Sequence, residues 1–158
     1  MPPALFANQR ETNLSSTLSL VESVLAELGH PAPESRVEDA IALHAWRIPT
    51  GSAVTRVLLI HRAEFTHLRV CAVVMTLDDR VDRAALFTHL LDLNATSCGA
   101  AFSVQDDQVL LVSERSTLDL DRSEVLDMIR RVTTSADEHD DVLVARYGGL
   151  LGVAPRAT

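Results

Sequence analysis

The sequence contains no lysine, two cysteines and few aromatic residues, and it has no apolar run long enough to cross a bilayer. Without lysine, the chain cannot form a lysine Schiff base or use the usual phosphate-loop lysine. Two cysteines do not make a disulfide scaffold. The N-terminus lacks the basic stretch and apolar run of a secretory signal. These absences predict a cytoplasmic protein without a membrane segment.

The 158 residues suffice for one domain and are too few for two ordinary ones. Hydrophobic residues make up 47% and charged residues 23% of the chain, which is typical of a globular protein. We therefore expect a single domain over residues 1–158, with an ordered core over about 14–149. Residues 1–13 and 150–158 are predicted to be loose tails.

Acidic residues outnumber basic ones by 22 to 14, which gives a formal net charge of −8. Binding to phosphate depends on its neutralisation by lysine or arginine, so this charge argues against direct contact with nucleic acid or an anionic membrane. The same charge would attract a basic protein surface. The alternative interpretation is that the net negative charge only keeps a small protein soluble and indicates no binding partner.

Three segments have the apolar spacing of helices, residues 14–28, 81–98 and a third that begins near Asp121 and ends at Gly148-Gly149. Asn13 suits the start of the first helix, and Gly29 suits its end. Asp78 and Asp79 suit the start of the second. Asp121-Arg122-Ser123-Glu124 resembles a capping box, which places the start of the third.

Two hairpins are predicted between these helices. Residues 54–60 and 68–75 are rich in β-branched and aliphatic residues, and residues 102–105 and 109–113 flank an acidic turn. Residues 37–48 fit either a strand or a helix. If residues 41–48 form a strand, the order is αβββαββα, an α+β fold in which helices flank an antiparallel sheet.

The strand over residues 68–75 has two different faces. One face is uniformly apolar and is predicted to be core. The other mixes polar and apolar side chains and is predicted to be partly covered: His67, Arg69, Cys71, Val73 and Met75.

The second half of the chain resembles the YbjN-like family and the related type III secretion chaperones. The resemblance rests on LLDLN at 90–94, GAAFSV at 99–104, VLLV at 109–112, and the AD and YGG motifs at 136–137 and 147–149. It extends over about 81–149, and over 14–76 it rests on element order alone. It implies a small αβββαββα domain that often dimerises, binds other proteins and has no cofactor or catalytic residues. Stress-response roles are attached to such proteins.

We therefore predict a non-enzymatic, chaperone-like or adaptor module that captures a client protein, with a basic or nucleic-acid-binding client favoured by the charge. The second predicted helix has apolar residues beyond a single stripe, which predicts a homodimer interface at Leu86, Phe87, Leu90, Leu91 and Asn94. The mixed strand face is predicted to bind the client through His67, Arg69, Val73 and Met75.

The alternative is a sensor that binds a small ligand or a metal. His61 and His67 flank the predicted hairpin turn, and His44 falls on the adjoining segment. Three imidazoles on one sheet face would make an open zinc site. The opposing interpretation is that they are ordinary polar residues, because no pair has a recognised ligand spacing.

Overall fold

An antiparallel sheet of seven strands forms the centre of the fold in the computed structural model, which describes residues 4–51 and 53–152. Its strands lie in the order β1-β2-β3-β4-β6-β5, and β7 pairs with the end of β4. Their bounds are Arg36–Val37 (β1), Ala42–Thr50 (β2), Ala53–Arg62 (β3), Phe65–Thr76 (β4), Ala101–Gln105 (β5), Gln108–Ser116 (β6) and Leu150–Leu151 (β7).

Three long helices and one short helix accompany the sheet, and their bounds are Ala4–Glu27 (α1), Ala32–Ser35 (α2), Arg83–Thr96 (α3) and Arg122–Tyr147 (α4). Apart from the short elements α2, β1 and β7, the order is the predicted αβββαββα. The ambiguous residues 41–48 fall largely in β2, because their alternation matches the two faces of a sheet.

Local signals set several helix ends as predicted. Gly29 has a φ of +85°, and the N–H of His30 donates to the carbonyl of Leu25, so a glycine C-cap ends α1. At the start of α4, the Asp121 carboxylate accepts from the N–H of Glu124, whose side chain accepts in turn from the N–H of Asp121. The capping box is thus confirmed.

Other boundaries differ from those expected. Helix α1 begins at Ala4 rather than near Leu14, so part of the predicted N-terminal tail is helical. Helix α3 is capped by Asp82, while Asp78 pairs with Arg80. Leu150 and Leu151 form β7 rather than a tail. The rest of the predicted tails, residues 1–3 and 153–158, lies outside the described residues.

The main core lies between one side of the sheet, which we call the helix face, and helices α1, α3 and α4. Leu68, Val70 and Ala72 of β4 project into it, as their alternation predicted. A bulge in β4 between Val73 and Met75 then interrupts the alternation. Val74 and Met75 consequently both lie in the core. Among the described residues, none of the helices combines the length and apolar character needed to cross a membrane.

Candidate peptide-binding surface

The other side of the sheet, which we call the open face, has a small buried cluster of its own. It consists of Ala45, Leu58, Ile60 and Cys71, with Ala42 and Val112 packed against it. These residues alternate along β2, β3, β4 and β6 with the residues of the main core. The three long helices pack on the helix face, so the open face is the surface that the sheet presents outward.

A cavity of about 400 Å³ lies on the open face. It is lined by residues of β3, β4, β6 and the end of β5 and of two adjoining loops. About half of the lining side chains are charged or amide groups, and the others are apolar: Ile41, Val54, Leu58, Ile60, Cys71, Val73 and Leu110. Ile41 at its rim is 80% exposed, the largest fraction among the exposed large apolar residues of the described chain. A cavity whose lining is partly aliphatic, with an exposed aliphatic rim, suits apolar side chains of a partner.

Glu114 on β6 joins two arginines at one end of the open face. Arg62 donates to both carboxylate oxygens of Glu114, with one Nη2–Oε2 distance of 3.2 Å, and Arg69 Nη1 donates to Oε2 at 2.6 Å. Burial raises the pKa of Glu114, but the hydrogen bonds from the two guanidinium groups outweigh it and hold the pKa below its usual value. The carboxylate therefore stays ionised at neutral pH, and the network holds the two arginines in place.

Asp39, at the other end of the open face, holds one arginine and a backbone turn in place. Its Oδ1 accepts from the backbone N–H groups of Ile41 and Ala42 at 2.9 Å, and its Oδ2 accepts from Arg56. Burial alone would raise the pKa of Asp39. The three donors lower the pKa by more than burial raises it, so it lies below the usual value. This turn also fixes the backbone at Ile41, which holds its side chain at the rim of the cavity.

Three of the four residues predicted to bind a client lie on the open face. Arg69 and Val73 line the cavity. His67 pairs with Ile60 and shares its face. Met75 does not, because the bulge places it, fully buried, in the main core. A strict two-residue alternation cannot anticipate a bulge, so the sequence placed Met75 on the wrong side.

Sequence reasoning missed other residues of this surface, including Ile41, Asp39, Arg56 and Glu114. The alternation of Arg56, Leu58, Ile60 and Arg62 along β3 was a usable signal, because it gives that strand a mixed face like that of β4. Ile41 and Asp39 carried no such signal, since they lie in the loop before β2.

Cys71 lies within the open-face cluster and is 6% exposed. Burial raises the pKa of its thiol. A thiol that is buried and protonated is a poor nucleophile, so Cys71 serves as a small apolar side chain, as predicted.

The residues predicted to form a dimer interface have different surroundings. Leu86 and Leu90 are buried in the main core, and Phe87 packs against it. Asn94 binds the backbone of Phe102 on β5, donating to its carbonyl at 3.0 Å and accepting from its N–H at 2.7 Å. Leu91 is 69% exposed and is the member of this set most available to a partner.

The three histidines proposed as metal ligands do not share a face. His44 pairs with Leu59 of the helix face, and His61 follows the same alternation, whereas His67 lies on the open face. A bulge near Leu43 causes the change for His44. Within residues 4–51 and 53–152, no three metal-ligating side chains come together, so the predicted histidine site does not form there.

A protein-family model described as "T3SS (YopN, CesT) and YbjN peptide-binding chaperone 1" (TY-Chap1) matches residues 16–153. That description is of a peptide-binding chaperone and not of an enzyme, which agrees with the expected lack of catalysis. A search of curated protein sequences gives no significant match.

Solved structures share the fold. The crystal structure of the ExsC–ExsE complex superposes with a TM-score of 0.61 at 17% identity, covering 82% of this chain and 94% of the other. The HopA1–SchA chaperone–effector complex gives 0.58 at 12% identity, covering 83% and 97%. The Yersinia pestis type III secretion chaperone SycH, bound to a fragment of YscM2, gives 0.53 at 21% identity, covering 79% and 97%.

Proposed function

Because this chain belongs to the family of type III secretion and YbjN peptide-binding chaperones, we propose that it holds a segment of a client protein on its open face. The observation that carries this proposal is the cavity of about 400 Å³, whose aliphatic lining continues to Ile41 exposed at its rim. Exposed apolar surface next to a cavity is characteristic of an interaction site. The relatives SycH and SchA are each seen with another protein bound, which supports the same role here.

A client on the open face would contact side chains rather than extend the sheet at β5. That strand is the edge of the sheet, and an unpaired edge is a template for strand addition. Asn94 already binds both the N–H and the carbonyl of Phe102. The backbone groups that a β5 partner would need at this position are therefore occupied.

The active form that we propose is a homodimer that uses the exposed side of α3. Leu91 is 69% exposed there, and Val104 on the neighbouring strand β5 is 40% exposed. Two apolar side chains on adjacent elements can meet the same pair of a second copy across a twofold axis. Leu86 and Leu90 support this surface from the core side, while Leu91 makes the contact.

The test is capture of the client by a tagged chain in its native cells, with bound proteins identified and cross-linked positions mapped by mass spectrometry. Replacing Ile41 with Ser should reduce capture about tenfold, since burying an aliphatic side chain contributes about 1.5–3 kcal/mol and 1.4 kcal/mol is a factor of ten. Ile41 is so exposed that the fold should be unaffected.

The matched control is Val142→Ser on α4, which removes an apolar side chain that is 56% exposed on the helix side. Its capture should equal that of the unaltered chain. Equal capture by Ile41→Ser, or cross-links confined to the helices, would place the client elsewhere and overturn the proposed function.

A further inference from the structure

Arginines are concentrated on the open face, although the chain as a whole is acidic. Arg56, Arg62 and Arg69 line the cavity. Arg47 lies on the same face, because it is the direct cross-strand partner of Arg56. Four arginines are thus gathered on one surface of a chain whose net charge is −8. The acids next to them are Asp39 and Glu114, with Asp106 and Glu38 at the edges of the face.

The two central acids use most of their capacity as hydrogen-bond acceptors, since each accepts three hydrogen bonds and a carboxylate has about four acceptor sites. Both oxygens of Glu114 accept from guanidinium groups, and both oxygens of Asp39 accept from backbone or arginine donors. A guanidinium group has five N–H donors, of which Arg69 uses one and Arg62 uses two on Glu114. Arg47 has no ion-pair partner within the part of the chain that the structure describes. Unused donors therefore outnumber unused acceptors on this face.

The arginines are also held ready for a ligand. The side chains of Arg56 and Arg69 are 26% and 20% exposed, so each is mostly covered but still in contact with water. Glu114 and Asp39 fix the positions of these head groups, which lowers the conformational entropy that binding would cost. A planar guanidinium fixed in this way matches a carboxylate, with which it forms two parallel hydrogen bonds.

We propose that the open face selects client segments that combine aliphatic and acidic side chains. The aliphatic side chains occupy the cavity beside Ile41, and the Asp or Glu side chains pair with the surrounding arginines. This inference rests on the proposed function and specifies its partner. It reverses the expectation of a basic client, which followed from the net charge of the whole chain.

The acidic residues that dominate the net charge lie elsewhere. Helix α4 exposes Asp127, Asp137, Glu138 and Asp141 on the opposite side of the sheet. Charges more than about 8–10 Å away are largely screened at physiological salt. The arginines next to the cavity therefore determine the charge preference of a bound segment, while α4 affects only long-range encounter.

The experiment uses the full chain and three fluorescein-labelled peptides of equal length, whose leucines are at the same positions and whose other positions are Glu, Gln or Lys. Fluorescence anisotropy should show the Glu peptide binding about tenfold more tightly than the Gln peptide, and the Lys peptide binding most weakly. At about 1 M salt, where the Debye length is about 3 Å, the preference should shrink.

Two variants assign the preference to this face. Arg47→Gln breaks no ion pair among the described residues, and Arg62→Gln leaves Glu114 paired with Arg69. Each should lower the Glu-over-Gln preference about threefold. Thermal stability should be unchanged in Arg47→Gln and lowered in Arg62→Gln by no more than in Glu114→Gln. Arg130→Gln, an exposed arginine on α4, is the matched control and should change nothing.

Three outcomes would overturn the proposal. The first is binding of the Lys peptide that is as tight as that of the Glu peptide or tighter. The second is a preference for Glu over Gln that persists in both open-face variants. The third is displacement of the labelled Glu peptide by single-stranded DNA at a lower concentration than the unlabelled Glu peptide requires. All three leave client capture through Ile41 intact. If Ile41→Ser instead captured as much client as the unaltered chain, the proposed function would be refuted. The failure of this inference and the failure of the proposed function are therefore distinguishable.

Discussion

At the residue scale, the open face depends on carboxylates that organise arginines. Glu114 is 19% exposed in its side chain and contacts both Arg62 and Arg69. Its role was not foreseeable from the sequence, because Glu114, Arg62 and Arg69 come from three segments far apart in the chain. Only the register of β3, β4 and β6 brings them together. By contrast, the burial of Leu68, Val70 and Ala72 in the main core followed directly from alternation along one strand.

The first prediction concerns the pH dependence of stability at Glu114. The pKa of Glu114 in the folded chain is below the ordinary value of 4.5, because the two guanidinium groups stabilise the carboxylate. The stabilisation is therefore fully present above that ordinary value and is lost as the pH falls through the lowered pKa. We expect Glu114→Gln to lower the free energy of unfolding by about 1 kcal/mol at pH 7, a value kept small because Arg62 is half exposed.

Urea unfolding of both proteins from pH 7 to pH 2.5 checks this. The difference between them should shrink toward zero at the acidic end. Asp107→Asn is the control, because Asp107 is 67% exposed and its pair with Arg83 is solvated, so its effect should stay below about 0.5 kcal/mol. A Glu114→Gln difference that is independent of pH would mean that the carboxylate charge contributes nothing.

At the element scale, periodicity and capping residues predicted the αβββαββα order and the antiparallel sheet. Gly29 and the Asp121 capping box mark helix ends because they act through local hydrogen bonds, which a sequence displays directly. Bulges were not predicted, since they arise from the register between strands. The two bulges, near Leu43 and at Val73/Met75, account for the misplacement of His44 and of Met75.

The second prediction concerns the link between α3 and β5. Asn94→Ala removes both hydrogen bonds to Phe102, and we expect it to lower the free energy of unfolding by about 1–2 kcal/mol, at about 1 kcal/mol for each bond. Hydrogen exchange of the Phe102 amide should accelerate at least tenfold relative to core amides of β4. If Asn94 served only a dimer contact, that exchange rate would not change when measured on the monomer.

Thr88→Ala is the matched control on the same helix. Thr88 is exposed, and its hydroxyl donates to the carbonyl of Ala84 within α3. Its substitution should change the free energy of unfolding by less than about 0.5 kcal/mol and leave the Phe102 amide protected.

At the scale of the whole molecule, the net charge does not reveal where the charges are concentrated. The value of −8 is a sum over the chain, and a sum does not indicate that Arg47, Arg56, Arg62 and Arg69 share one face. Which side of each helix or strand is buried in the core also depends on how the elements pack on one another. Helix α3 is apolar on more than one side, which predicted an interface, but packing on the sheet places Leu86 and Leu90 inward and leaves Leu91 outward. The sequence therefore indicated that α3 has apolar residues beyond one stripe, but not which of them stay exposed.

The last prediction tests the homodimer. Light scattering of the unaltered chain should give twice the subunit mass of 17.2 kDa, and Leu91→Asp should give a monomer. A buried, unpaired carboxylate on each side of a twofold interface costs several kcal/mol, so we expect the dissociation constant to rise at least a hundredfold, or about 2.7 kcal/mol.

Leu118→Asp is the control, because Leu118 is 49% exposed in the loop before α4. That variant should remain dimeric. A dimer unaffected by Leu91→Asp would place the interface away from α3, and a monomeric unaltered chain would refute the homodimer.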